Sequence, residues 1–142
     1  MRDYLFRGKR KDNGEWVCGN FVKGCVDDFA YIVEFGNKDL CRNYVEVIPE
    51  TVGQYTGLTD ENGKKIFEGD ILNTTNSNCA IWYVDYKNTA FCCNQGDVNY
   101  SCVLDEFVQF SVVEVIGNIH DNPKILKGGD RGFSLCDDGW FA

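Results

Sequence analysis

Hydrophobic and polar positions alternate over several short stretches of this chain, and alternation with a period of two predicts half-buried strands. Along residues 80–86, Ala80, Trp82, Val84 and Tyr86 would face one way and Ile81, Tyr83 and Asp85 the other. Tyr44-Val45-Glu46-Val47-Ile48 alternates and stops at Pro49, which cannot donate to a ladder. Residues 29–35 are aromatic and β-branched, and 112–119 return to the same character. Asp12-Asn13-Gly14 separates extended runs at 3–10 and 15–22, which predicts a hairpin. Lys87-Asn88 turns the strand at 80–86 into a partner at 89–93.

One segment changes period. Tyr100, Val103, Leu104, Phe107 and Val108 recur at three- and four-residue spacing, predicting one sizeable helix near 100–110 with all but Val108 read as core positions. Asn99 or Ser101 would cap it. Asn122-Pro123 predicts a single helical turn at 122–127. Trp82, Val84, Val113, Val115 and Ile119 are expected to point into one core.

The 142 residues suit one domain, and 15 glycines against two prolines fit frequent chain reversal. The net charge of −8 is uneven: residues 1–24 hold six Lys/Arg and three acids, leaving −11 for the remainder. An acidic surface repels phosphate, so binding to duplex nucleic acid is not expected. The single basic cluster, Arg7-Gly8-Lys9-Arg10-Lys11, reads as a solvated turn. Nothing near the first residue resembles a signal peptide, and no apolar run is long enough for a membrane helix. The eight cysteines are therefore expected to be reduced thiols in the cytoplasm of a bacterial host.

Chemistry is sparse. Six residues separate Cys18 from Cys25 and eight separate Cys93 from Cys102, spacings that miss those of zinc sites. His120 is the only histidine, so a Cys-His or Ser-His pair would have to use it, with Asp121 as the candidate orienting acid. Glu50, Glu68, Asp70 and Asp121 are the acids in or beside the most distinctive segments, but sequence cannot set their separation. Phosphate-binding glycine loops are absent. No metal, cofactor or catalytic residue is assigned, and the protein is expected not to be an enzyme.

Two segments carry a resemblance. Residues 48–71 contain Gly53-Gln54-Tyr55-Thr56-Gly57-Leu58, Asp60-Glu61-Asn62-Gly63 and Glu68-Gly69-Asp70-Ile71; residues 114–123 contain Gly117-Asn118-Ile119-His120-Asp121-Asn122-Pro123. With Phe6-Arg7-Gly8-Lys9 and Gly14-Glu15-Trp16-Val17-Cys18-Gly19, they are similar to the YopX family of phage and prophage proteins. The resemblance runs from about Phe6 to Leu126, diverging at 25–43 and 73–112; residues 128–142 fall outside it. It implies a small β-rich protein of unassigned biochemistry and lends no catalytic residues.

The reading is a mainly β protein. Residues 1–127 form one YopX-like domain, with an added N-terminal β-sheet subdomain at 1–48 and an SH3-like barrel core at 49–127, the latter by analogy with the turn at Glu68-Gly69-Asp70-Ile71; residues 128–142 are a tail. The expected role is a phage or prophage accessory module that binds a protein partner or itself as a homo-oligomer, with Trp140 and Phe141 as interface candidates. The alternatives are an acidic DNA mimic that inhibits a host enzyme and a single-stranded nucleic-acid binder stacking bases on Trp82, Tyr83 or Tyr86.

Overall fold

The computed structural model describes residues 4–24, 28–34, 44–75, 80–95 and 100–128. The chain divides into two compact units, Met1–Tyr55 and Thr56–Ala142. Each carries an antiparallel sheet. The boundary falls inside one strand, β5 (Gly53–Thr59), so the first signature segment contributes to both units.

The first unit contains β1 (Phe6–Lys9), β2 (Trp16–Lys23), β3 (Ala30–Glu34) and β4 (Tyr44–Val47), side by side in the order β4-β3-β2-β1. The start of β5 joins the free edge of β1 through Phe6↔Gln54 and Arg7↔Gly53. A 3-10 turn at Pro49–Thr51 precedes it, and the Thr51 hydroxyl accepts the backbone N–H of Lys9 at 2.9 Å. These bonds place residues 49–55 with the first unit rather than with a core beginning at 49. Alternation then decides the faces. Val17, Ala30, Ile32, Val45 and Val47 are buried together, with Phe6, Phe21 and Val52 packed on them.

The β1–β2 connection is a hairpin, as Asp12-Asn13-Gly14 predicts, but with a longer loop than a two-residue Asn-Gly turn. The Arg10 amide donates to the Glu15 carbonyl at 2.8 Å and the Gly14 amide to the Arg10 carbonyl at 3.0 Å. Only Gly14 takes positive φ, at +74°, while the Asn13 side chain accepts the Glu15 amide. The local Asn13 bond competes with a tighter turn.

In the second unit the end of β5 pairs with β6 (Lys65–Phe67). The main sheet has β7 (Asp70–Thr74), β8 (Ile81–Lys87), β9 (Ala90–Gln95), β10 (Tyr100–Val103) and β11 (Val113–Asn118) in the order β10-β9-β8-β7-β11. It is open, with β10 and β11 at its edges; among the described residues no closed barrel is seen. Both faces of the sheet are covered. Leu72, Trp82, Val84, Cys93, Val113 and Val115 form one cluster with Ile66 and Leu104, while Ile71, Ile81 and Ile125 form another. Adjacent residues of β7, Ile71 and Leu72, thus serve opposite clusters, and every residue of β7 is buried.

Helix α1 (Leu104–Phe110) closes over the first cluster and α2 (Pro123–Gly128) supplies Ile125 to the second. The predicted helix over 100–110 is half right. Tyr100–Val103 pair with β9 as β10, and only from Leu104 does the chain turn helical. Leu104 is fully buried and Phe107 packs on the core, but Val103 is exposed. Backbone pairing with β9 outweighs the helical period in a run of aromatic, Cys and Val residues that also suits a strand.

A second shift occurs in β11. Val115 opposes Leu72 and Gly117 opposes Ile71, so Ile116 is the extra residue of a β-bulge. The bulge reverses the alternation. Val113 and Val115 enter the first cluster as expected, whereas Ile119 packs with Ile71, Ile81 and Ile125 in the other.

The β8–β9 hairpin reverses in two residues, between the paired Lys87 and Ala90. Asn88 and Thr89 have φ of 51° and 64°, the two positive values this tight reversal requires. Asparagine tolerates that region, but β-branched threonine is strained there. Thr89→Gly should relieve roughly 1–3 kcal/mol of strain and lose about 0.5–1 kcal/mol to unfolded-chain entropy. The expected net gain is about 1 kcal/mol, read as a higher urea midpoint at unchanged slope; a lower midpoint would contradict the turn geometry.

Candidate interaction surface

Two acids of the first signature segment, Asp60 and Asp70, accept hydrogen bonds from backbone amides. Asp60 is 7% exposed. Its Oδ1 accepts the amides of Asn62 and Lys64 at 2.9 and 2.8 Å, and its Oδ2 accepts the Val115 amide at 3.0 Å. One carboxylate therefore shapes the β5–β6 turn and ties it to β11, where the Glu61 amide also donates to the Val113 carbonyl. Asp70, almost wholly buried, accepts the Phe67 amide at 2.7 Å across the turn that enters β7. Sequence reading counted residues 60–63 only as a turn and missed Asp60. The available signal was an Asp two residues ahead of Asn-Gly, which can bond to backbone amides farther along.

The second signature segment is a backbone clasp. The Asn118 carbonyl accepts the Asn122 amide, the Asn122 side chain accepts the Asn118 amide, and Asn118 Oδ1 accepts the amides of His120 and Asp121. Asp121 takes a hydrogen bond from Asn118 Nδ2 at 3.1 Å. Gly117 is required here, because a Cβ on it would lie 2.4 Å from Asn122 Oδ1.

The fold brings some of the candidate groups near one another and keeps His120 away from the cysteines of β9. Glu50 lies in the 3-10 turn of the first unit; in the second, Glu68 and Asp121 lie in turns and Asp70 opens β7 opposite Asn118, so that a Cβ on Gly69, between Glu68 and Asp70, would lie 3.6 Å from His120 Nε2. His120 follows β11, whereas Cys92 and Cys93 lie on β9, three strand positions away in the sheet. At about 4.8 Å per strand that is roughly 14 Å, beyond hydrogen-bond reach. Among the described residues no group of three His, Cys, Asp or Glu side chains could hold a metal ion. Of the proposed stacking platforms, Trp82 is in the core, its ring centroid 4.6 Å from that of Phe107; Tyr83 is half-buried and Tyr86 is exposed. Trp140 and Phe141, with Cys25, Cys41, Cys79 and Cys136, lie outside the described residues.

The face of the first sheet opposite its core is the most distinctive surface. Register places Arg7 beside Cys18, Lys9 beside Trp16, Val22 beside Tyr31 and Glu46, and Asn20 beside Val33 and Tyr44. The Arg7 guanidinium stands 4.7 Å and the Lys9 ammonium 5.8 Å from the Trp16 ring centroid. Lys11 is 5.8 Å from the Phe29 ring and bonds Glu46 at 3.0 Å; Phe29 stacks on Tyr31 at 6.3 Å. Tyr44 is 60% exposed, and Val22 and Phe29 are 43% exposed.

The basic cluster is accordingly not a free patch. Arg10 binds Asp12 through two hydrogen bonds of 2.9 and 2.8 Å, which hold the Asp12 carboxyl below and the Arg10 guanidinium above their ordinary pKa values. Lying at the surface, the pair contributes little to stability.

These features define a mainly β protein in which Asp60, Asp70, Asn118 and Asn122 of the most distinctive segments bind backbone amides. The family model described as YopX protein matches residues 5–127, and the chain belongs to the YopX family. In fold it is similar to the crystal structure of protein EF1440 from Enterococcus faecalis, at 23% identity and a TM-score of 0.55, over 89% of this chain and 99% of that one. No curated protein matches the chain. Among the described residues no helix is long and apolar enough to cross a membrane.

Proposed function

We propose that the chain is a phage or prophage accessory protein of the bacterial cytoplasm that works by binding protein, either a partner or a second copy of itself, and not by catalysis. The observation that carries this reading is the face of the first sheet opposite its core, on which several aromatic and aliphatic side chains remain exposed. Val22, Phe29 and Tyr44 are exposed there beside Trp16, Tyr31 and the cations Arg7, Lys9 and Lys11. Aromatic residues and arginine are the side chains that concentrate binding energy at protein interfaces. A sheet face that only met water would favour polar residues at the alternate positions.

A rival reading places single-stranded nucleic acid on the same face, with bases on Trp16 and phosphates on Arg7 and Lys9. It is favoured by the cations already gathered at that ring. Capture from host lysate, with and without nuclease, separates the two. The wild type should retain the same proteins after nuclease treatment. Phe29→Ser/Tyr44→Ser should lose them, or lose self-association by light scattering, at an unchanged melting temperature. Retention abolished by nuclease would favour the nucleic-acid reading instead.

A further inference from the structure

Strands β9 and β10 run antiparallel with Cys102 directly opposite Cys93. The two Sγ atoms lie 3.3 Å apart, and Cys93 Sγ is also 3.7 Å from the Cys102 carbonyl oxygen. A disulfide needs about 2.05 Å between sulfurs, so closure requires a movement of little more than 1 Å. Cys92 does not compete, because its thiol reaches the Lys87 and Ala90 carbonyls and neighbouring residues of a strand point to opposite faces.

Access is graded within the pair. Cys93 is completely buried and Cys102 half-buried, so a reagent from solution meets Cys102 first. Among the described residues β10 is an edge strand paired with β9, and edge elements open most readily. It leads straight into α1, whose Leu104 seals the larger core cluster.

We propose that Cys93 and Cys102 are a reversible two-electron oxidation site, closed by a low-molecular-weight disulfide such as oxidised glutathione. Cys102 Sγ gives its proton to solvent and attacks one sulfur of the glutathione disulfide. That S–S bond breaks, and one glutathione leaves as thiolate and takes up a proton. Cys93 Sγ then loses its proton and attacks the Cys102 sulfur, forming the protein disulfide. The bond from Cys102 to glutathione breaks, and the second glutathione leaves and is protonated. Two protein thiols are oxidised and one glutathione disulfide is reduced to two thiols. Burial and the adjacent Cys102 thiol push the Cys93 thiol up, which makes the second attack the slower step. The product would pin β10, and with it the start of α1, to the sheet.

The test exposes the native full chain to oxidised glutathione, quenches with acid, alkylates under denaturing non-reducing conditions and maps the peptides. The expected result is a Cys93–Cys102 crosslink in monomeric protein, reversed by dithiothreitol, with a melting temperature raised by several degrees. Cys93→Ser should stop at a glutathione adduct on Cys102, and Cys102→Ser should leave Cys93 unmodified. A lasting adduct on Cys102 in the wild type would overturn the proposal. So would both thiols alkylated after exposed Cys18 has reacted, or a crosslink to any other partner. The mapping on the wild type stands whether or not either variant folds.

Discussion

Asp60→Ala should destabilise the protein by about 3–5 kcal/mol, a large change for a residue in a turn. The expectation rests on three backbone amides, those of Asn62, Lys64 and Val115, which converge on one buried carboxylate. A hydrogen bond to a charged group contributes roughly 1.5–3 kcal/mol, and a buried donor left unpaired costs its own desolvation. Bonds to one group are not additive, which keeps the total below their sum. Asp60→Asn keeps the volume but replaces one acceptor oxygen with a donor, so it should retain part of the turn and still lose about 2 kcal/mol. Asp12→Ala is the control. It removes a solvated carboxyl whose ion pair is on the surface, and the change should stay within about 0.5 kcal/mol. Urea unfolding of the three variants measures the series. An Asp60→Ala loss under 1 kcal/mol would mean that the turn and β11 are not joined through this side chain.

Trp82→Ala is expected to cost about 3–5 kcal/mol, the range for truncating a large buried aromatic. The indole is buried opposite Leu72 on β7 and packs against Phe107 of α1, so its loss opens a void between sheet and helix. Tyr86→Ala offers the contrast. Both rings belong to the same alternate set of β8, but Tyr86 is 55% exposed and meets Phe91 edge-on at 5.1 Å. Its removal should cost no more than about 1 kcal/mol. Equal losses would contradict the placement of α1 over that face. The same pair of measurements bears on the stacking idea, since a core tryptophan cannot also present its ring to a nucleotide.

Much of the fold was legible because strand patterning is local. The alternation at 44–48 and 80–86, the β-branched run at 112–119 and the hairpin at Asp12-Asn13-Gly14 all correspond to observed strands or turns. The family was legible too, through short blocks whose residue types the backbone requires: Asp60 ahead of its amides, Asn118 and Asn122 in their clasp, and Gly117 where no Cβ fits. The interaction surface was far less so. Arg7, Lys9 and Trp16 are 15 or more residues from Tyr31 and Tyr44 in every case, and only β-pairing shows that they share a face. The cysteine pair was visible only as a spacing that does not suit zinc; cross-strand register made it a contact.

By itself, the sequence determined the class of secondary structure, the approximate strands, the family and the lack of a recognisable catalytic or phosphate-binding motif. Periodicity and turn chemistry act over a few residues, and a single chain displays them directly. Tertiary structure alone decided that residues 100–103 are strand rather than helix, that a bulge at Ile116 sends Ile119 to the other cluster, and that the second sheet stays open among the described residues. It also gave Asp60 its third bond, to an amide 55 residues away. Each outcome depends on which distant strand supplies the hydrogen-bond partner. Local preferences there are nearly balanced, so long-range pairing settles the choice.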